Sequence, residues 1–157
     1  MPSTVYLETS IISYLTGRAT RNVVITAHEQ LTRRWWDTRR QQFELFISPL
    51  VLQEAAAGNA TMAARRLERI RGLPILAVTG EATTVAERLV QSGPLPKKAE
   101  VDALHIGIAA VHGMEYVLTW NCKHIANARM RTQIEAICRD LGYEPPIMCT
   151  PEELMEE

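Results

Sequence analysis

Val5-Tyr6-Leu7-Glu8-Thr9-Ser10-Ile11-Ile12-Ser13-Tyr14-Leu15 carries the first change of periodicity in the chain. Val5, Tyr6 and Leu7 have the composition of a short buried strand. After Glu8-Thr9-Ser10, the apolar residues Ile11, Ile12, Tyr14 and Leu15 fit a brief helix that stops at Gly17. A strand that turns within three residues into a helix opens a β-α unit.

The alternation continues downstream. Asn22 is a candidate N-cap for a longer helix reaching about Gln41, with Val24, Ala27, Leu31 and Trp35 as its apolar stripe. Trp35 reads as core. Trp36, about 100° round the wheel, reads either as flanking core or as part of a partner surface. Phe43 to Ile47 reads as a second strand, and Ser48-Pro49 supplies an N-cap and a first-turn proline for a helix over Leu50 to Ala57, ended by Gly58. A helix over Ala60 to Ile70, a third strand over Leu73 to Val78 and a helix over Glu81 to Ser92 follow. Gly93-Pro94-Leu95-Pro96 is a stiff turn into a helix from Lys97 to His112, closed by Gly113 as a left-handed residue, with Val101, Leu104, Ile108 and Val111 as its buried stripe. Tyr116 to Leu118 is a fourth strand, Met130 to Leu141 a late helix with Asn127 as a candidate cap, and Pro146 to Cys149 a last strand. Thr150-Pro151-Glu152-Glu153 reads as a capping box. Short strands alternating with helices predict the α/β class, with a central parallel sheet of four to five strands flanked by helices. No repeat or linker divides the sequence, so a single domain is expected over 1–157, with about 150–157 as a C-terminal tail.

Composition narrows the function classes. A hydrophobic share of 46% with 22% charged residues is globular, which excludes a disordered or fibrous chain. No apolar run approaches the roughly 20 residues of a membrane span, and the start has no signal-peptide pattern, so a cytoplasmic location without a membrane partner is expected. Cys122, Cys138 and Cys149 lack C-x-x-C spacing and read as reduced thiols rather than a disulfide or zinc framework. The net charge of −1 offers no electrostatic argument for nucleic acid. Glu152, Glu153, Glu156 and Glu157 crowd the C-terminus. The clusters Arg33, Arg34, Arg39, Arg40 and Arg65, Arg66, Arg69, Arg71 read as solvated helix faces.

In an open parallel sheet, ligands bind beyond the carboxyl ends of the strands. Glu8 ends the first strand and Asn121 lies just past the fourth. Glu54 and Asp102 sit near helix starts, on that same side of the sheet. Carboxylates gathered there repel one another, and a hard cation such as Mg²⁺ or Mn²⁺ relieves the repulsion. An ion of this kind lowers the pKa of bound water and neutralises a phosphate oxygen, the chemistry of phosphodiester hydrolysis. Each residue also has a plainer reading. Glu8 can cap a helix, Glu54 can be an exposed helix residue, and Asp102 can be a first-turn carboxylate. Thr9 or Ser10 can donate a hydroxyl to the site or cap the next helix. His105 shares a helix face with Asp102 and reads as a satisfied structural histidine, while Lys123 and His124 are candidate phosphate contacts. A phosphoacceptor domain is set aside, because neither Ile47-Ser48 nor Val78-Thr79 ends a strand in aspartate.

At Val5-Tyr6-Leu7-Glu8-Thr9-Ser10, Glu54, Asp102-Ala103-Leu104-His105-Ile106 and Thr119-Trp120-Asn121-Cys122-Lys123-His124-Ile125-Ala126-Asn127-Ala128, the sequence resembles a PIN-domain protein of the toxin–antitoxin (VapC-like) ribonuclease type, in order over nearly its whole length. The resemblance implies a single PIN-like domain and a metal-dependent endoribonuclease acting on RNA. Glu8, Glu54, Asp102 and Asn121 would be its catalytic and metal-holding set for Mg²⁺ or Mn²⁺, supported by Thr9 and Ser10. It also implies a small antitoxin partner and a homodimer, with the helix of Trp35 and Trp36 as one candidate surface. Two positions depart from the family. Glu8 replaces the usual aspartate and sets the carboxylate further out by about one C–C bond, ~1.5 Å. Asn121 replaces a frequent fourth acid and removes one negative charge. Both changes predict a weaker ion site, and the alternative expectation is a PIN fold that binds RNA or protein without cutting.

Overall fold

The computed structural model describes residues 1–18 and 20–155. Glu156 and Glu157, named above in the acidic C-terminus, lie outside the described residues. In chain order the elements are β1 (Ser3–Leu7), α1 (Thr9–Leu15), α2 (Val23–Thr38), β2 (Phe43–Phe46), α3 (Pro49–Ala55), α4 (Ala60–Ile70), α5 (Gly80–Gln91), α6 (Glu100–Val111), β3 (Tyr116–Leu118), α7 (Ala128–Asp140) and β4 (Ile147–Cys149), with 3₁₀ turns at Arg40–Gln42 and Lys97–Ala99. The sheet is wholly parallel in the order β2-β1-β3-β4. β1 and β3 are therefore the inner strands, and Val5, Tyr6, Leu7, Val117 and Leu118 are sealed from solvent. Such continuous burial is expected of a parallel sheet covered by crossover helices. The pair Leu7 and Leu118 closes the β1–β3 register, so the next residues, Glu8 and Thr119, leave the sheet side by side.

Local chemistry sets most of the helix starts. Asn22 Oδ1 accepts the Ile25 N–H at 3.1 Å, Ser48 Oγ the Val51 N–H at 3.3 Å and Asn127 Oδ1 the Arg129 N–H at 2.9 Å. Each satisfies a donor that a helix leaves unpaired, worth about 1 kcal/mol. Pro49 stands at the first turn of α3, where its missing N–H is harmless. Glu153 Oε1 accepts the Thr150 N–H at 3.1 Å, the reach-back half of the expected capping box. Gly113 has φ +70°, the left-handed closure expected after α6. The three cysteines are free thiols; burial pushes Cys138 up to about 11 and Cys149 up to about 12, so both stay protonated.

Three expectations change. Leu73 to Val78 is not a full strand. Pro74 has no N–H to give, and only the Ile47–Ile75 bridge joins the segment to the sheet, through Ile47 N to Pro74 O at 3.0 Å and Leu76 N to Ile47 O at 2.8 Å. Beyond it, Ala77 O accepts from His112 Nε2 at 2.8 Å and Ile75 and Val78 face solvent. Helix α2 is rolled away from its hydropathy stripe. Val24 is exposed, whereas Glu29, Thr32, Trp35 and Trp36 are buried. Thr32 faces inward because its Oγ1 accepts the Trp120 indole N–H at 2.7 Å. Trp36 is thereby core, with the Arg40 guanidinium 5.1 Å over its ring, and not a partner surface. In α6, Val101 is exposed while Ala103, Ile106, Gly107 and Ala110 are buried. The helix is enclosed on most sides, so no single stripe describes it. No described helix is long and apolar enough to cross a membrane.

The α5–α6 contact depends on an absent side chain. A Cβ at Gly107 would lie 2.4 Å from the Ala82 carbonyl oxygen. Gly107→Ala should force the two helices apart and cost on the order of 1–3 kcal/mol, read as a lowered thermal midpoint. An unchanged midpoint would show that the packing yields without cost.

Candidate functional site

The carboxyl ends of β1, β2 and β3 open onto one half-buried cleft. Glu8 leaves β1 with its N–H still bonded to Leu118 O at 3.1 Å, and it caps α1 by accepting the Ser10 N–H on Oε2 at 3.1 Å. The same carboxylate takes the Ser10 hydroxyl and, at 2.6 Å, the Thr119 hydroxyl on Oε1. Glu8 therefore does cap α1, with the same carboxylate that lies beside Glu54. Thr119 Oγ1 in turn accepts the Asn121 N–H at 2.9 Å, and Ser10 Oγ accepts the Trp120 N–H at 2.8 Å. Three consecutive residues after β3 are thus held against Glu8 and Ser10.

Glu54 comes from the second turn of α3. Its Oε1 accepts the Thr9 hydroxyl at 2.7 Å and pairs with His105 Nε2 at 2.6 Å. No hydrogen bond from the described residues reaches its Oε2. Burial pushes the Glu54 carboxyl up, but the bonds from His105 and Thr9 outweigh it and hold the group below its ordinary value. One oxygen each of Glu8 and Glu54 and one ring nitrogen of His105 lie within 4.8 Å of one another.

Asp102 stands in the first turn of α6, one turn before His105, and is not a member of that close trio. Its Oδ2 meets His124 Nδ1 at 2.9 Å, with both side chains mostly buried. Asn121 directs its amide oxygen to the His124 N–H at 3.0 Å, and its carbonyl takes the N–H groups of Ile125 and Ala126. It therefore builds the turn that carries His124 to Asp102. Lys123 is exposed beside them. Thr9, Ser10, Glu8 and Glu54 are thus gathered by direct bonds, while Asp102, His124 and Asn121 form a second bonded group linked to the first through Thr119 and α6.

Thr119 was invisible as a site residue, although its register was readable: it follows β3 as Glu8 follows β1. The Tyr6–His105–Ser48 contacts behind the cleft had no sequence signal beyond the inward place of Tyr6. His105 is buried and satisfied, as a structural histidine should be, but one of its partners is Glu54. At the rim, Trp120 stacks on His28 at 3.9 Å and meets Tyr14 edge-on at 6.2 Å.

No protein-family profile and no curated protein sequence matches this chain. Solved structures do. VapC20 of Mycobacterium tuberculosis, a sarcin–ricin loop cleaving toxin, superposes with a TM-score of 0.57 at 18% identity over 77% of this chain and 92% of its own. VapBC2 of Rickettsia felis, solved bound to a DNA fragment from its promoter, gives 0.60 at 16% identity over 94% and 98%. At these identities the likeness establishes the fold, the PIN fold of VapC-type proteins.

The lowered Glu54 value has a definite sign. A carboxyl lowered on folding adds stability that is present above its unfolded value, 4.5, and lost as pH falls through the folded one. In metal-free protein, carboxyl-carbon NMR should place the Glu54 midpoint below that of an exposed glutamate, and Thr9→Val should raise it. A midpoint unmoved by Thr9→Val would remove that hydrogen bond from the account.

Proposed function

We propose that this single domain is a divalent-metal-dependent endoribonuclease, the toxin half of a type II toxin–antitoxin pair. The observation that carries the reading is the pairing of Glu8 and Glu54 at the strand ends of a PIN fold, with Asp102 opening the helix beside them. Two carboxylates at this spacing suit a hard cation, and Oε2 of Glu54 is left open to one. Glu8, Glu54 and Asp102 would hold Mg²⁺ or Mn²⁺. Such an ion supplies Lewis-acid activation of water and charge neutralisation at phosphate.

The chain's own groups do the rest. Thr9 and Ser10 orient the two glutamates through their hydroxyls. Thr119 fastens Glu8 across the sheet. Asn121 supports the site through its turn, which seats His124 against Asp102. Lys123 and His124 would meet the phosphates of an RNA strand. With Mn²⁺, the purified chain should cleave single-stranded or structured RNA, and Glu54→Gln and Asp102→Asn should each lower the rate by on the order of 100-fold or more. No cleavage by the wild type, or cleavage undiminished in both variants, would sink the reading.

One observation favours a second reading, a PIN fold that binds RNA or protein without cutting. The Asn121 amide oxygen is committed to its own turn, and Glu8 is already bonded on both oxygens. Metal binding without cleavage in the same assay would select it.

Partners belong to the proposal as well. A groove of about 850 Å³ runs between the end of α1, α2 and α4, lined by small residues Gly17, Ala60 and Ala64 and by Arg33, Arg65 and Arg69, with Glu68 as the one acid among its described residues. That shape and charge suit an acidic, small-residue-contacting segment of an antitoxin. Light scattering should find the chain alone as a homodimer and a larger complex with the antitoxin, the complex being lost in the Arg65→Glu/Arg69→Glu double variant. A monomer at every concentration removes the dimer, and a complex that survives the charge reversal removes the groove.

A further inference from the structure

Glu8, Glu54 and His105 have the spacing of a three-ligand metal site, but the hydrogen bonds of His105 say otherwise. The residue is wholly buried. Nε2 is 2.6 Å from Glu54 Oε1, and an ionised carboxylate only accepts, so Nε2 carries the proton and donates it. Nδ1 is 2.6 Å from the Tyr6 hydroxyl, which is 2.8 Å from Ser48 Oγ. Ser48 Oγ already accepts the Val51 N–H at 3.3 Å. Only one direction gives every proton an acceptor among the described residues: Ser48 O–H to Tyr6, Tyr6 O–H to His105 Nδ1, His105 Nε2–H to Glu54. Both ring nitrogens are then occupied, and neither lone pair is left for a cation.

We propose that His105 is a positioning residue, not a ligand: the buried relay Ser48–Tyr6–His105 holds Glu54 Oε1 so that Oε2 alone is presented to the cleft. Thr9 completes the hold, because its hydroxyl and His105 together fill Oε1 with two donors at 2.7 and 2.6 Å. Outer partners of this kind fix a ligand's orientation before the ion arrives. The role rests on the metal reading given above, and the relay itself can be checked without metal.

The test uses the full chain in three forms, wild type, Tyr6→Phe and His105→Gln, with MnCl₂ as the probe in calorimetry and thermal melts alongside. Tyr6→Phe keeps the ring and removes the proton that fixes the imidazole. It should remain folded and weaken Mn²⁺ binding about 10-fold. His105→Gln retains an N–H donor at comparable reach, and it should bind Mn²⁺ more tightly than His105→Leu wherever the latter folds. Proton–nitrogen NMR of metal-free wild type should show His105 as the Nε2–H tautomer.

Tyr6→Phe with wild-type Mn²⁺ affinity overturns the relay, as does an Nδ1–H tautomer. Loss of all Mn²⁺ binding in His105→Gln with the fold intact makes His105 a ligand and also overturns it. Absence of Mn²⁺ binding by the wild type overturns the metal reading instead, and the tautomer then decides the relay alone.

Discussion

Two carboxylates placed side by side in a half-buried cleft repel each other, and the rest of this molecule is arranged around meeting that repulsion. Glu8 and Glu54 stay in place because donors surround them: Ser10 and Thr119 on one, Thr9 and His105 on the other. Those donors are held in turn. Thr119 is at the end of an inner strand, Ser10 is bonded to the chain after it, and His105 is backed by Tyr6 from inside the sheet. Negative charge at the surface of the cleft thus fixes the identity of residues buried beneath it.

The two halves of the cleft are held differently. Around Glu54 the support is sealed from solvent and leaves one oxygen open. Around Asp102 it is a single histidine on a turn that Asn121 caps. A neutral residue is understandable at position 121, because an amide oxygen serves a turn as well as a carboxylate does and adds no charge to a crowded site. The same commitment leaves the second group less densely tied than the first.

Much of this was legible from local chemistry. Ser48-Pro49, Asn22, Asn127 and Gly113 announce helix ends through bonds to their own neighbours, and the strand-to-helix step at Leu7-Glu8-Thr9 reveals the class and the side of the sheet where the acidic residues gather. What escaped depended on distant partners. Hydropathy put Val24 inside and gave no reason to bury Thr32, because the indole that satisfies Thr32 lies 88 residues away. Leu73 to Val78 had strand composition, but whether a strand pairs along its length is decided by its neighbour and by Pro74. His105 was readable as a satisfied structural histidine, not as the partner of Glu54, since Glu54 lies 51 positions before it.

Those separations bear on when the site comes into being. Its bonds span 45 residues from Thr9 to Glu54, 51 from Glu54 to His105 and 111 from Glu8 to Thr119. Contacts so far apart can form only once long loops have closed, at a greater entropic cost than local ones. During synthesis, Glu8 and Glu54 emerge with Thr9 and Ser10 long before Asp102, His105 and Thr119, so a partly made chain has two of the acids but not all the groups that hold them. The cleft is assembled only as β3 takes its place beside β1, which keeps unfinished chains from gathering it while they are still being made.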